Sequence, residues 1–281
     1  MSETTIGPVP DSWWGGLGVF DLETTGIDVE TSRIVSAYVG VIDEAGDARG
    51  VSWLADPGIE IPAGATAVHG ISTARARAEG RDAGEVVSEI IAVLRSLLAQ
   101  GVPVTIYNAP YDLTLLNREA LRHGVEPLES PAPIIDPLVL DRALDRYRPG
   151  KRTLTAAAEH YGVELTDAHD AKADAIAAGR LAQVLAGRFA HLLGHDLDVL
   201  HRRQTEWCAD HAAGFEDYMR RAPTASGRSG RSRRPWRRAS DPAETRGRAA
   251  SPTRRCGPPV PGRYSPGVPV GLRSRSPCTG S

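Results

Sequence analysis

The chain has 281 residues, of which 41% are hydrophobic and 5% aromatic, so it can build a substantial core mainly from aliphatic side chains. Three cysteines are too few for a disulfide framework, and no secretory signal or membrane-spanning apolar run is visible, so we expect a cytoplasmic protein with no membrane partner. The formal charge of −2 hides an asymmetry, because residues 222–281 carry 13 arginines and two acidic residues, which leaves 20 basic and 33 acidic residues elsewhere.

The first half of the chain predicts a sheet that starts antiparallel. Residues 16–23, 33–43 and 48–57 have the composition of strands, with a turn between the last two. A helix with apolar residues at helical spacing is predicted over 84–101, and a short buried strand follows over 102–110.

The second half of the chain is mostly helical. Helices are predicted over residues 111–124, 136–146, 153–162, 170–189 and 200–221. Strands first, then alternating strand and helices, indicate an α/β fold with a mixed β-sheet flanked by α-helices.

The composition changes after Arg221. Residues 222–281 contain ten prolines, eight glycines and one leucine, and no isoleucine, phenylalanine or methionine. Such a segment cannot bury enough apolar surface to offset its chain entropy, so we predict that it is disordered. A solvated basic tail and an artefactual tail from a shifted reading frame both fit this composition. The predicted divisions are an N-terminal extension (1–14), a main domain (15–199), a C-terminal helix (200–221) and the tail (222–281).

Two carboxylates separated by one leucine end the first predicted strand. Asp21 and Glu23 stand at i and i+2, so both project from the same face at the C-terminal end of the strand. This edge of a sheet is where α/β proteins bind ligands. Thr24, Thr25 and Gly26 then turn the chain away. Taken alone, the pair fits a solvated strand end and a functional site equally well.

A further acidic residue follows the buried strand over 102–110. Asp112 stands at the start of the next helix, where it can simply cap the helix and favour its dipole. Asn108 and Asp112 also lie just beyond a central strand, on the edge where a ligand is expected.

The segment "AHDAKADA" (168–175) contributes a histidine and a fourth carboxylate. Within one helix, His169 and Asp174 would point about 140° apart and would not share a site. If His169 lies in the turn before the helix, both side chains can reach one site. A lone histidine near a helix start is more often a surface residue.

Together, these four carboxylates and one histidine come from three distant segments. Hard oxygen ligands in this number suit Mg²⁺ or Mn²⁺. Two such cations about 3.5–4 Å apart stabilise both the attacking and the leaving oxygen in phosphoryl displacement. The constellation therefore predicts a site for two divalent cations.

The segments "VFDLETTG" (19–26), "YNAPYDLTLLN" (107–117) and "AHDAKADA" resemble the three motifs of the DEDD exonuclease superfamily, in its histidine-containing branch. That branch includes the proofreading epsilon subunit of bacterial DNA polymerase III. The match extends over roughly residues 15–190, and "AVHGIS" (67–72) resembles a substrate-side segment. The resemblance implies an RNase H-like fold and 3′→5′ hydrolysis of nucleic-acid ends, most readily of DNA, to nucleoside 5′-monophosphates.

The resemblance also implies a role for each motif residue. Asp21 would bridge both cations, and Asp112 would serve the second of them. Glu23 and Asp174 would hold the cation that binds the attacking water. His169 would act as general base, since the usual histidine pKa of about 6.5 suits proton removal near neutral pH. The terminal nucleotide would contact Thr24, the backbone around Leu22 and Thr25, and the side chains of His69 and Asn108.

Two positions depart from the family pattern, because Tyr107 stands where many relatives have histidine and Tyr111 where they have phenylalanine. Neither is an expected ligand, so we expect altered packing or pocket polarity. The competing interpretations are an RNA-trimming enzyme of the RNase T type and a non-catalytic module for nucleic-acid binding or polymerase docking. A DNA polymerase is a candidate partner, in proofreading or repair.

A second candidate metal site lies further along the chain. The run "HLLGH" places His191 and His195 where they could bind zinc. Gly194 interrupts the helix between them, so a solvated helix end is the preferred interpretation.

Overall fold

A computed structural model describes residues 12–221. The predicted tail, 222–281, and most of the predicted extension, 1–14, lie outside the described residues. The described part begins with a short 3-10 turn, Trp13–Gly15, in which the buried Trp13 donates its indole N–H to the Gly194 carbonyl at 3.1 Å.

The sheet has six strands, and its mixed character confirms the predicted fold class. Its central strand pairs antiparallel with the second strand and parallel with the fifth, and the spatial order is β4-β3-β2-β1-β5-β6. The strands are β1 (Gly16–Thr24), β2 (Ile34–Asp43), β3 (Ala48–Asp56), β4 (Arg81–Asp82), β5 (Val104–Thr105) and β6 (Ile134–Ile135). The segment predicted as a strand over 102–110 pairs over two residues only, because the chain then turns into the next helix.

Eight helices flank this sheet within the described residues. They are α1 (Ala63–His69), α2 (Thr73–Glu79), α3 (Ala83–Ala99), α4 (Ala109–Arg122), α5 (Pro137–Leu144), α6 (Leu154–Tyr161), α7 (Ala171–Leu193) and α8 (Leu197–Arg221). The sequence interpretation missed α1 and α2, since seven residues are too few to show helical periodicity. None of the helices in the described range has the continuous apolar length that a bilayer crossing requires.

The two faces of the sheet build two separate cores. Phe20 and Leu22 of β1 lie on the face that α3 and α4 cover. Leu17 and Val19 alternate with them and pack against α7 on the opposite face. Because side chains alternate along a strand, the residues that continue this second row, Asp21 and Glu23, emerge toward the N-terminal end of α7.

The glycine in the middle of α7 allows the helix backbone to approach the sheet closely. A methyl group built on Gly179 would lie 2.5 Å from both Val19 Cγ1 and Ile42 Cδ1, which is too close for any real contact. The helix therefore rests on β1 and β2 at a distance that only glycine permits. This packing sets the height of the α7 N-terminus above the end of β1.

Candidate active site

The end of β1 carries the first pair of predicted ligands. Asp21 and Glu23 are both half-buried, on the face that α7 covers. The β1–β2 pairing shifts register between Glu23 and Thr24, which ends the regular strand there. The chain then bends at a turn in which the Thr24 hydroxyl donates to the Gly26 carbonyl at 2.7 Å.

The turn before α7 carries His169, as the second of the two sequence alternatives requires. His169 has a φ of 73°, and the helix begins after Asp170, whose carboxylate accepts from the Ala173 N–H at 3.0 Å. The backbone N–H of His169 donates to Asp174 Oδ2 at 3.2 Å, so the turn folds back over the first helical turn. Ligand atoms of Glu23, His169 and Asp174 consequently lie within 4.8 Å of one another.

Asp112 approaches the same end of β1 from the other face of the sheet. It lies in the first turn of α4 and is only 3% exposed. The N-cap of this helix is Asn108, so Asp112 is not the capping residue that the simpler sequence interpretation described. After burial, the charge of Asp112 does more than that of any other carboxylate to raise the pKa of Asp21.

The four carboxylates crowd one another in a poorly solvated place. Burial raises the pKa of Asp21 well above its usual range, and the charge of Asp112 raises it further. Burial, with the charges of Asp174 and Asp170, raises the pKa of Glu23 to about 8. Burial is also the main reason that the pKa values of Asp112 and Asp174 are raised. Asp174 Oδ1 is buried and has no hydrogen-bond partner among residues 12–221.

These features fit a divalent cation. Several hard carboxylate oxygens converge, one of them has no hydrogen-bond partner in the part of the chain that the structure describes, and an imidazole lies beside them. A cation would remove the repulsion that raises the carboxylate pKa values. The residues present therefore have the chemistry of a Mg²⁺ or Mn²⁺ site.

Of the predicted substrate-side residues, His69 lies beside the turn after β1, and Asn108 is the N-cap of the helix that carries Asp112. His69 ends α1 close to the Thr24 backbone, and burial, with the charge of His169, lowers its pKa. Its Nδ1 accepts from the Ile71 N–H at 3.1 Å, whereas its buried Nε2 has no partner in the described part of the chain. Asn108 is exposed, and its backbone adopts the left-handed conformation, with φ 67° and ψ 47°.

Two of the predicted contact residues are engaged in the fold through their side chains. The Leu22 side chain belongs to the core beneath α3 and α4. The buried Thr25 hydroxyl accepts from the Arg33 N–H at 3.0 Å. Their backbone groups are therefore what they can offer to a ligand, as the resemblance implied.

The sequence interpretation missed Asp170 and Asp136 near the site, and it noted Tyr111 without its contact. Asp170 adds a negative charge that raises the pKa of Glu23 and of Asp174. Its place before an alanine-rich helix is a capping signal that could have been read. Tyr111 donates its hydroxyl to the Gly26 carbonyl at 2.6 Å, and Asp136 accepts from the Asn108 N–H at 3.0 Å. No local pattern marks these two, because both contacts bridge distant segments.

The "HLLGH" histidines do not join a metal-ligand cluster within the described range. α7 ends before Gly194, and His195 stacks on the Trp14 ring with centroids 5.6 Å apart. The preferred interpretation of this run, a helix end, agrees with that placement.

Comparison with solved structures identifies the fold. E. coli exonuclease I in complex with a dA16 oligonucleotide matches with a TM-score of 0.55 at 20% identity, covering 63% of this chain and 42% of that one. The zinc-bound form of the E. coli exonuclease I complex with single-stranded DNA matches with a TM-score of 0.56 at the same identity and the same coverage. The chain thus spans less than half the length of these proteins and shares their RNase H-like exonuclease fold.

Comparison with protein families is more specific. No curated protein matches the chain. The RNase T family model, described as exonuclease, matches residues 19–182, which include all three motifs. The matched range lies inside the predicted main domain, 15–199, and supports the DEDD-superfamily resemblance, whereas the likeness to the epsilon subunit stays a prediction. This chain therefore belongs to the exonuclease family.

Proposed function

We propose that the protein is a metal-dependent 3′→5′ exonuclease that hydrolyses the ends of nucleic acids, preferentially single-stranded DNA, to nucleoside 5′-monophosphates. The observation that carries the proposal is the convergence of ligand atoms of Glu23, His169 and Asp174 within 4.8 Å, beside Asp21, whose pKa burial and the charge of Asp112 raise. The exonuclease family match supports the same chemistry.

Four carboxylates would hold two divalent cations. Asp21 is central in the cluster, since the charges of Asp112, Asp174 and Glu23 all raise its pKa, and this suits a residue that bridges both cations. Glu23 and Asp174 would complete one cation site and Asp112 the other. When bound, the cations supply charge that stabilises the attacking and leaving oxygens of the phosphodiester.

His169 is suited to remove a proton from the attacking water. Its side chain is exposed at the edge of the carboxylate cluster, beside Glu23 and Asp174, where a water and a phosphodiester can approach. One imidazole nitrogen takes the proton as the water oxygen bonds to phosphorus and the bond to the 3′ oxygen breaks. The positive φ of His169 brings the ring back over the start of α7.

The substrate-side residues would hold the terminal nucleotide. His69 Nε2 is buried without a partner in the described structure, so a substrate oxygen or bound water can satisfy it. Asn108, the N-cap of the helix that carries Asp112, would offer its exposed amide. Single-stranded DNA is favoured because the similar exonuclease I structures are complexes with dA16, dT13 and single-stranded DNA.

Digestion of matched DNA and RNA oligomers, labelled at either end, tests the proposal. We expect stepwise shortening from the 3′ end of single-stranded DNA with Mg²⁺ or Mn²⁺, and release of 5′-monophosphates. Asp21→Asn keeps the side-chain shape but removes a charge, so cleavage should fall by about two to four orders of magnitude, while the circular dichroism spectrum stays unchanged.

The same assay separates the alternatives. A clear preference for RNA would favour the RNase T-type enzyme. If the wild-type protein releases no nucleotides from any 3′ end but binds oligomers, the non-catalytic module becomes the better interpretation. A polymerase partner, a role in proofreading or repair and the epsilon-like specificity stay predictions that a pull-down with replication proteins would test.

A further inference from the structure

Asp136, which follows β6, makes an unusual set of hydrogen bonds to a neighbouring helix. It is buried, with 4% exposure. Its Oδ1 accepts from the Asn108 N–H and its Oδ2 from the Ala109 N–H, both at 3.0 Å, and Oδ1 also accepts from the Leu138 N–H of its own helix at 2.9 Å. Residues 108 and 109 are the N-cap and first residue of α4, whose N–H groups have no acceptor inside the helix.

This arrangement changes what Asn108 does. An asparagine at an N-cap ordinarily accepts a hydrogen bond from its own helix through its side chain. In the described structure Asn108 makes no such bond and adopts the left-handed conformation, and its side chain is exposed four residues before Asp112. Asp136 supplies acceptors to the helix N-terminus instead, from a different strand.

The same bonds fix the position of Asp112. This residue lies in the first turn of α4, three residues after Ala109, and a helical turn transmits the position of its first backbone groups to its fourth residue. Asp136 is itself held, since its N–H donates to Gln204 Oε1 of α8 at 2.7 Å. Gln204 also donates to the Ile134 carbonyl at 3.0 Å, so α8 closes the edge of the sheet at β6.

We infer that Asp136, held in place by Gln204, is a positioning residue that sets Asp112 for cation binding and frees the Asn108 side chain for the substrate. It acts through the N-terminus of α4 and does not itself touch the reacting atoms. The inference rests on the proposed function in one respect, because that function says what Asp112 and Asn108 bind.

Mn²⁺ binding to the metal-free full chain, followed by electron paramagnetic resonance, tests this role without any nucleic acid. Asp136→Asn replaces one acceptor oxygen with an NH₂ group, so one of the two α4 amides loses its partner. We expect Mn²⁺ affinity to fall by about 10- to 100-fold, as for other residues that orient metal ligands. Nuclease activity should fall in parallel and recover in part at high Mn²⁺ concentration.

Asp82→Asn is the matched control. Asp82 caps α3 by accepting from the Glu85 N–H at 3.0 Å, so this variant also loses a helix cap, but far from the carboxylate cluster in the fold. It should lose some thermal stability and keep wild-type Mn²⁺ affinity. If Asp136→Asn is destabilised in the same way and also keeps wild-type Mn²⁺ affinity, the positioning role is overturned.

A second variant covers the case in which Asp136→Asn does not fold. Gln204→Ala keeps a good helix former in α8 while it removes the acceptor for the Asp136 N–H, and it should weaken Mn²⁺ binding several-fold. Wild-type affinity in this variant would overturn the inference. Failure of the wild-type chain to cleave nucleic acid would overturn the proposed function instead, because the Mn²⁺ comparison does not depend on cleavage.

Discussion

The hydroxyl oxygens of Tyr111 and Thr24 lie 2.8 Å apart, and each also lies within hydrogen-bond distance of the Gly26 carbonyl, at 2.6 and 2.7 Å respectively. The Gly26 carbonyl oxygen can only accept, so it is the acceptor that the two hydroxyl groups share. This contact joins the residue before Asp112 to the turn after Glu23. The tyrosine that replaces the phenylalanine of many relatives thus braces the two motifs against each other.

Tyr111→Phe should loosen this brace without disturbing the core. The change removes one hydroxyl whose hydrogen bond contributes about 1 kcal/mol, so the free energy of unfolding should fall by about that amount. We expect kcat/KM to fall several-fold, mainly through KM, because the Thr24 turn contacts the substrate in the proposed function. Urea unfolding and steady-state kinetics measure the two effects.

The control for Tyr111→Phe is Tyr147→Phe, since Tyr147 is 90% exposed. Loss of its hydroxyl should leave both stability and kinetics unchanged. Equal behaviour of the two variants would contradict the bracing role of Tyr111.

Gly179→Ala should separate α7 from the sheet. The added methyl would meet Val19 and Ile42 at 2.5 Å, and overpacking of this kind costs about 1–3 kcal/mol, which exceeds the gain of about 1 kcal/mol from alanine's helix propensity. The shift would carry Asp174 away from Asp21, so Mn²⁺ affinity should fall together with thermal stability.

Gly187→Ala in the same helix is the matched comparison. A methyl group there would meet no atom within 4 Å, so the helix propensity gain stands alone and stability should rise by up to about 1 kcal/mol. If both alanine variants were stabilised, the close packing of α7 on β1 would not limit the site.

The metal-free protein should lose stability as the pH rises from 5 to 8. The folded state holds protons on Glu23, whose pKa is raised to about 8, and on the neighbouring carboxylates, whereas the unfolded chain releases these protons near pH 4. The folded state therefore binds more protons in this window, and the free energy of unfolding falls with increasing pH. A cation relieves the repulsion, so Mn²⁺ should raise the melting temperature more at pH 8 than at pH 5.

Glu23→Gln should flatten that pH dependence and raise the melting temperature of the metal-free protein at pH 8, on the order of 5 °C. The exposed Glu129 provides the control, because Glu129→Gln removes a carboxylate outside the cluster and should leave the slope unchanged. A metal-free protein that becomes more stable between pH 5 and 8 would contradict the crowding of the carboxylates.

A buried ion pair should be far more important to stability than an exposed one. Arg148 donates to both carboxylate oxygens of Asp141, at 2.9 and 2.7 Å, and the two side chains are 2% and 0% exposed. Asp141→Asn leaves this guanidinium without its counter-charge, so we expect a loss of about 3–5 kcal/mol. Glu30→Gln, which breaks the exposed pair with Arg118, should cost about 1 kcal/mol or less by the same urea titration.

Much of the fold could be predicted from the sequence, because the long elements carry strong local patterns. β1, β2 and β3 have continuous apolar or alternating segments, and α3, α4 and α7 have helical periodicity. The apolar run over 102–110 predicted β5 but not its end, and β6 was missed, because each of these strands pairs over two residues only and its boundaries depend on its neighbours. The helices α1 and α2 could not be predicted for a similar reason, since each has only 7 residues and shows no helical periodicity.

The sequence by itself determined which functional groups the site contains, since residue type and the i, i+2 spacing of Asp21 and Glu23 are local properties of the chain. Only the tertiary structure decided that the turn at His169 has a positive φ and folds back onto Asp174, that Asp112 is buried, and that Asp136 supplies the α4 N-terminus with the acceptors that the Asn108 side chain does not. These outcomes depend on contacts between segments that lie far apart in the chain, and the free energy of such contacts comes from packing and desolvation that no local pattern encodes.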